Sequence, residues 1–322
     1  MRLSHPGPPP WPGTGRFTDF AIGDGIVPGL RPAGPGRLPY PVTQNGEMSA
    51  PVLKAETLVT TDGVPIDAIH LPGGPELAIV MAHGFTLSWS RPFVWKVARR
   101  LNQWGGVVTF DFRGHGRSGG MSTMGDREIN DLDVAVAYAR ELGYRRVAAI
   151  GFSMGASVVV RYAGLVGGLD AAVSVSGPGH WYYRGTKPMR RVHWAVERRT
   201  GRLVTRTWLK TRVSPTGWDP VPVPPAEAAA QIAPTPFLVV HGDQDVYFPV
   251  DHAHQLYEAA GDPRELWIVP GFGHAERGLD KALTDRIGRW VQRAAESPHV
   301  LAAEPAAGDR HSAEPAGCAD PA

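Results

Sequence analysis

Cysteine is almost absent: Cys318 is the only one in 322 residues. That excludes an intramolecular disulfide framework and any cysteine-rich metal centre. Long apolar runs are missing as well. No stretch approaches the roughly 18 to 20 residues needed to cross a bilayer, and the N-terminus has no apolar signal core, so the expectation is a cytoplasmic protein with no stable membrane insertion. Neither sign of charge is in excess: 33 Lys and Arg stand against 31 Asp and Glu, for a net +2. The whole molecule therefore offers nothing to attract nucleic acid. What remains, 43% hydrophobic and 20% charged residues, fits one large globular domain with tails.

Residues 1–51 are crowded with Pro and Gly, as in Pro6-Gly7-Pro8-Pro9-Pro10, and show neither helical nor strand periodicity. Such a segment cannot bury enough apolar surface to offset its chain entropy, and a disordered extension is expected. The tail 297–322, rich in Ala, Pro and acidic residues, reads the same way. Between them, residues 52–296 read as the folded domain. Glu56–Thr61 and Val64–Leu71 are expected strands joined at Asp62-Gly63, a hairpin signal. Apolar strands are then expected at Leu77–Ala82, Val107–Phe112, Val147–Ile150, Ala171–Val175, Phe237–Val240 and Leu266–Val269. Helices alternate with them. One starts at Pro92 with Phe93, Val97, Leu101 and Trp104 on its inner face and ends at Gly105-Gly106; another spans Asp126–Leu142. This alternation predicts an α/β fold: a mostly parallel, doubly wound eight-stranded sheet covered on both faces. Ligands in such sheets bind beyond the carboxyl ends of the strands.

Gly151-Phe152-Ser153-Met154-Gly155 stands between an expected buried strand and an expected helix, the setting that G-x-S-x-G requires. A sharp strand-to-helix turn lifts the serine hydroxyl clear of the backbone, where a base can take its proton. His241-Gly242-Asp243-Gln244-Asp245 and Gly271-Phe272-Gly273-His274 each follow a later strand. The chain order Ser153, Asp245, His274 thus places nucleophile, orienting acid and base on loops at one sheet edge. Asp243 is assigned to loop capping. Backbone N–H groups of Phe85 and Met154 are the candidate donors to a developing oxyanion. Gly114, Gly116 and Gly119 form a G-x-G-x-x-G, but no helix start faces them, and a dinucleotide site is not expected. His252 and His254, two apart on a helix, point to different faces and make no metal pair; His83, His115 and His241 are assigned to loop structure, and His180 and His193 lack a recognisable partner.

Together, His83-Gly84-Phe85, the loop Asp111-Phe112-Arg113-Gly114-His115-Gly116-Arg117-Ser118, the serine motif, His241–Asp245 and Gly273-His274 resemble the α/β-hydrolase superfamily over about residues 56–295. The branch resembled holds monoacylglycerol-lipase-like and serine-aminopeptidase-like hydrolases. The resemblance implies a triad of Ser153, Asp245 and His274, an oxyanion hole at Phe85 and Met154, a helical cap at about 179–235, and no cofactor or metal.

The cap segment carries Trp181, Trp194 and Trp208, expected to line a substrate pocket. It also carries ten Lys and Arg, opposed by little more than Glu197, and this basic lining argues against holding a peptide ammonium. The cations read first as a solvated outer face, with an anionic substrate or a membrane surface as alternatives. The expected function is a carboxylesterase- or lipase-like serine hydrolase cleaving the ester or thioester of a small acyl substrate through an acyl-enzyme. The alternatives are an acyltransferase with the same triad and a non-catalytic ligand-binding protein on this fold.

Met48 stands where the Pro- and Gly-rich extension ends, and it is the expected natural start. An intact-mass measurement on protein from its native cell is expected to begin at Met48; a mass that includes residues 2–47 overturns this.

Overall fold

The structure, a computed structural model, describes residues 55–296. The expectations for the extension, for Met48 and for the tail with Cys318 lie outside these residues.

The domain opens with β1 (Ala55–Val59) and β2 (Pro65–Leu71), an antiparallel pair closed with Val59 opposite Pro65. Asp62-Gly63 marks the turn, as the sequence suggests, but the loop has five residues. Thr60 leaves the strand because its Oγ1 accepts the Val64 N–H at 2.9 Å and donates to Asp62 at 2.6 Å, while its N–H donates to Val64 O. These local bonds compete with the ladder and shorten both strands. Then follow β3 (Leu77–Ala82), α1 (Pro92–Leu101), β4 (Gly106–Phe110), α2 (Glu128–Glu141), β5 (Arg146–Phe152), α3 (Met154–Leu165) and β6 (Ala171–Val175). After an insertion the chain resumes with β7 (Phe237–Gly242), α7 (Asp251–Ala259), β8 (Arg264–Val269), the short α8 (Ala275–Gly278) and α9 (Lys281–Glu296). The eight strands form one sheet in the order β1-β2-β4-β3-β5-β6-β7-β8, parallel from β4 onward, with β2 alone running against the rest, antiparallel to both β1 and β4.

Strand residues alternate between faces, and here both faces are buried. Ala78, Val80 and Ala82 of β3 join a core with α2 and α3, through Leu132, Val136, Val158 and Val159. Leu77, Ile79 and Met81 join a second core with α1 and α9, through Val94, Leu101, Ile287 and Val291. Covered on both sides, the strands read as continuous apolar runs. On α1 the buried face is Val94, Trp95, Val97, Ala98 and Leu101. Phe93 and Trp104, expected on that face, flank it half-buried, under the guanidinium groups of Arg277 and Arg289. The helix stops at Leu101, four residues before Gly105, because the Asn102 side chain turns back to donate to the carbonyls of Leu71, Pro72 and Gly105.

The glycine-rich loop after β4 holds itself closed, with Gly114 N–H donating to Gly119 O at 2.7 Å. Arg113 within it is buried, paired with Asp131 and with Asp62, each at 2.7 Å. The Arg113 guanidinium holds the Asp62 carboxyl well below the usual carboxylate range. At the end of this connection Glu128 gathers four donors, from Ser122, Thr123 N–H and hydroxyl, and Gly125 N–H, at 2.7–2.9 Å. The helix α2 therefore starts at Glu128, two residues later than expected.

Between β6 and β7 lie α4 (Lys187–Glu197), α5 (Arg199–Thr207) and α6 (Pro225–Ala229). The last of these returns to the core, where Ala228 and Ala229 are buried against α3. Gly164 permits this approach: a Cβ there would lie 2.0 Å from the Ala228 carbonyl oxygen. Gly164→Ala is expected to push α6 off α3 and destabilise the protein by about 1–3 kcal/mol, read as a lowered urea midpoint at unchanged slope.

Candidate active site

The apolar run of β5 ends at Phe152, and the chain turns at Ser153 with φ 52° and ψ −112° before α3 begins at Met154. A non-glycine residue at positive φ costs of order 1–3 kcal/mol and persists only where its surroundings hold it. Here the Ser153 N–H donates to Val175 O at 3.0 Å, and Ser153 O accepts from Ala156 N–H at 3.0 Å. The turn also requires close packing below it. A Cβ at Gly155 would lie 2.2 Å from Ala82 O, so glycine lets α3 start directly over the end of β3.

The loops after β7 and β8 meet this turn. His274 Nε2 lies 2.9 Å from Ser153 Oγ, and His274 Nδ1 lies 2.7 Å from Asp245 Oδ2. The other Asp245 oxygen accepts the N–H groups of Tyr247 at 2.8 Å and Phe248 at 3.1 Å. Burial alone would raise the Asp245 pKa; the hydrogen bond and charge of His274, with those two N–H groups, outweigh it and hold the carboxyl below its ordinary value. An ionised Asp245 makes Nδ1 the protonated nitrogen, which leaves Nε2 free to accept from the serine. Tyr247 stacks on the imidazole at 4.3 Å and fixes its plane.

His83-Gly84-Phe85 leaves β3 beside the serine; a Cβ on Gly84 would sit 3.4 Å from Ser153 Cβ. His83 is buried and held neutral, its pKa pushed down to about 3 by burial and by the neighbouring His115. Its Nε2 accepts Phe112 N–H at 3.1 Å, so Nδ1 donates to Gly84 O at 2.7 Å. The Met154 N–H lies in the first turn of α3, where N–H groups have no intrahelical acceptor and the helix dipole presents its positive end.

Sequence reasoning missed Glu276. This carboxyl, fully buried, accepts the Gly84 N–H at 2.7 Å, and burial raises its pKa. It stands two residues beyond His274, and an acid so close to a candidate base was the only available signal. The Ala275 N–H between them donates to Ser176 Oγ at 3.0 Å. Asp243 takes the capping part expected of it, accepting Gly271 N–H at 2.7 Å. His115 and His241 bond loop carbonyls, of Arg113 at 3.0 Å and Phe248 at 2.9 Å. His180 and His193, expected to be without partners, have them. His180 reaches Gln255 at 2.8 Å and stacks on His252 at 4.5 Å; His193 bridges Glu197 at 2.8 Å and Tyr183 O at 3.0 Å. Among the described residues no group of His, Cys, Asp or Glu could hold a metal ion.

The three tryptophans expected to line a pocket part company. Trp181 is half-buried, packed on Trp218 at 5.0 Å with its Nε1–H donating to Pro222 O. Trp194 is half-buried on α4, and Trp208, just beyond α5, is 82% exposed. The insertion reaches the site through Thr186, whose hydroxyl donates to Tyr247 O at 2.9 Å.

The model of the alpha/beta hydrolase family matches residues 79–320. A monoacylglycerol lipase of Mycolicibacterium smegmatis is 28% identical over 259 residues, covering 67% of this chain and 88% of that protein. Among solved structures, an esterase of Pyrococcus furiosus aligns with a TM-score of 0.60 at 24% identity, over 75% of this chain and 92% of that one. An alpha/beta hydrolase of a Penicillium species aligns with a TM-score of 0.61 at 19% identity, over 76% and 99%. These structural likenesses bear on the fold.

Replacing Glu276 by Leu leaves the buried Gly84 N–H without an acceptor, which costs about 1–3 kcal/mol; Glu276→Gln keeps an acceptor oxygen and is expected to lose less. Chemical denaturation of the two variants checks this, and equal losses refute it.

Proposed function

Because the chain belongs to the alpha/beta hydrolase family, we propose that it cleaves carboxylic esters with Ser153 as nucleophile, His274 as base and Asp245 as the group that orients the base. The observation that carries this reading is the continuous relay from Ser153 Oγ to His274 Nε2 at 2.9 Å and from His274 Nδ1 to Asp245 at 2.7 Å. In the first half-reaction the hydroxyl proton passes to Nε2 as Oγ attacks the ester carbonyl. The carbonyl oxygen takes up negative charge opposite the N–H groups of Phe85 and Met154, each such donor being worth about 3 kcal/mol in the transition state. Asp245 stabilises the imidazolium without taking its proton. The proton on Nε2 then goes to the departing alkoxide, leaving an acyl-Ser153 ester. Water attacks that ester while His274 accepts its proton, and the acid leaves as Ser153 regains its hydrogen. No step calls on a cofactor.

Substrate class follows from the surroundings and from kinship. Phe85 follows Gly84, which lies beside Ser153, and the Phe248 ring lies 5.9 Å from His274 with Tyr183 against it at 6.2 Å; these rings favour an apolar acyl group. The relative named a monoacylglycerol lipase supports the same choice. The segment 179–235 is proposed as the cap over this site, tied to it through Thr186 and Tyr247.

Hydrolysis of short and long p-nitrophenyl esters tests the proposal. Ser153→Ala is expected to lose about 10⁴-fold or more in kcat, and Asp245→Asn a comparable factor, with both variants folded. Near-background rates in wild type and variants alike overturn it. Release of a transferred ester instead of free acid when an alcohol is added identifies an acyltransferase.

A further inference from the structure

Charge is segregated within the chain. Residues 181–218 carry ten Lys and Arg and one acid, Glu197: a net +9 in a chain whose total is +2, leaving −7 for the rest. Glu197 is occupied by Arg184 at 2.5 Å and by His193 at 2.8 Å. Three further cations turn inward onto backbone: Arg190 caps the carbonyls of Arg184 and Gly185, Arg202 those of Val196 and Glu197, and Arg212 reaches Ser118 O. Arg199, Arg206 and Lys210 are exposed and have no acidic partner among the described residues. Helix α4 buries none of its residues, and α5 buries only Gly201 and Thr205. Gly201 sits against the last turn of α4, where a Cβ would lie 2.2 Å from Trp194 O. The two helices thus cover each other along one line and leave an outer face uncovered.

That face is not simply cationic. Arg199, Leu203 and Arg206, spaced four and three residues apart, form one stripe of α5, and Leu203 is 60% exposed. Trp208 follows at 82% and Tyr182 lies 53% exposed on the same insertion. An exposed leucine between unpaired guanidinium groups, with an exposed indole at the end of the same helix, is costly toward water. These side chains match the boundary of a lipid leaflet, where Trp settles at headgroup depth and Lys and Arg meet anionic headgroups.

We propose that the outer face of the insertion, centred on α5 and Trp208, docks the protein on an anionic lipid surface. The attachment is peripheral, since no helix among the described residues is long and apolar enough to cross a membrane. The same insertion reaches the proposed site through Thr186 and Tyr247, so docking places a bilayer against the segment that borders the catalytic loops. This inference does not depend on the triad.

Flotation of the full chain with vesicles tests it, using phosphatidylcholine alone and phosphatidylcholine with about 30% phosphatidylserine. Binding is expected only to the anionic vesicles, and it is expected to weaken as salt shortens the Debye length from about 10 Å at 0.1 M. Arg199→Gln with Arg206→Gln is expected to lower the partition coefficient about 30-fold, at about 1 kcal/mol per cation, while hydrolysis of a soluble short ester stays unchanged. Trp208→Ser is expected to lower it further and to abolish the binding that survives high salt. Ser153→Ala is expected to bind as wild type, so a failure of the esterase reading leaves the docking result intact. Equal binding to neutral vesicles, or anionic binding untouched by the arginine pair, overturns the proposal. So does a Trp208→Ser variant that binds normally while a single-stranded oligonucleotide displaces the wild type from vesicles, which marks a nucleic-acid face.

Discussion

The packing of α3 over the end of β3 is the constraint on which the candidate site depends. Gly155 lies so close to Ala82 O that no side chain fits between them, and this proximity forces β5 to pass into α3 through a single residue. Ser153 therefore holds a backbone conformation that it would not adopt in a free peptide, with φ 52°. The strain is carried by the two cores that clamp β5 from both faces. In return, the hydroxyl stands at the crest of the sheet and the first N–H groups of α3 lie beside it.

Several polar groups at that edge are held in one arrangement by their hydrogen bonds. Asp245 has both carboxylate oxygens engaged, one with the imidazole and one with two backbone N–H groups. His83 is fixed in one tautomer because the Phe112 N–H can only donate to it. Farther out, Arg113 joins Asp62 of the first hairpin to Asp131 of α2, so the start of the glycine-rich loop is tied to both elements. Among the described residues, these buried charges are paired or hydrogen-bonded, as their cost out of water requires.

Much of this was legible in the sequence because parallel strands buried on two faces announce themselves. Leu77–Ala82 and Phe237–Val240 admit no polar residue, and the chemistry-bearing loops follow directly from such runs. The chain order Ser153, Asp245, His274 then placed three side chains at one edge without any knowledge of the fold's details. What the sequence withheld depends on partners far along the chain. Glu276 reads as an ordinary acid in a loop until Gly84, 192 residues earlier, is seen to donate to it. His180 and His193 found partners that no spacing rule names. Phe93 and Trp104, expected inside on α1, pack against the second core but stay half-buried, because Arg277 and Arg289 cover their outer sides. As for Trp208, a tryptophan in an insertion suggests a pocket wall, and only its surroundings say that it faces water.

The Glu276 hydrogen bond has a mechanical consequence. One short segment holds both His274 and the carboxyl that grips Gly84, so the loop of His274 and the loop of Phe85 are fastened at a single point. Thermal motion of one loop carries the other along. Their displacements are correlated, and the distance between the His274 imidazole and the Phe85 N–H varies less than either position does. A site assembled from loops thereby acquires the stiffness of a single body, with one buried carboxyl as its rivet.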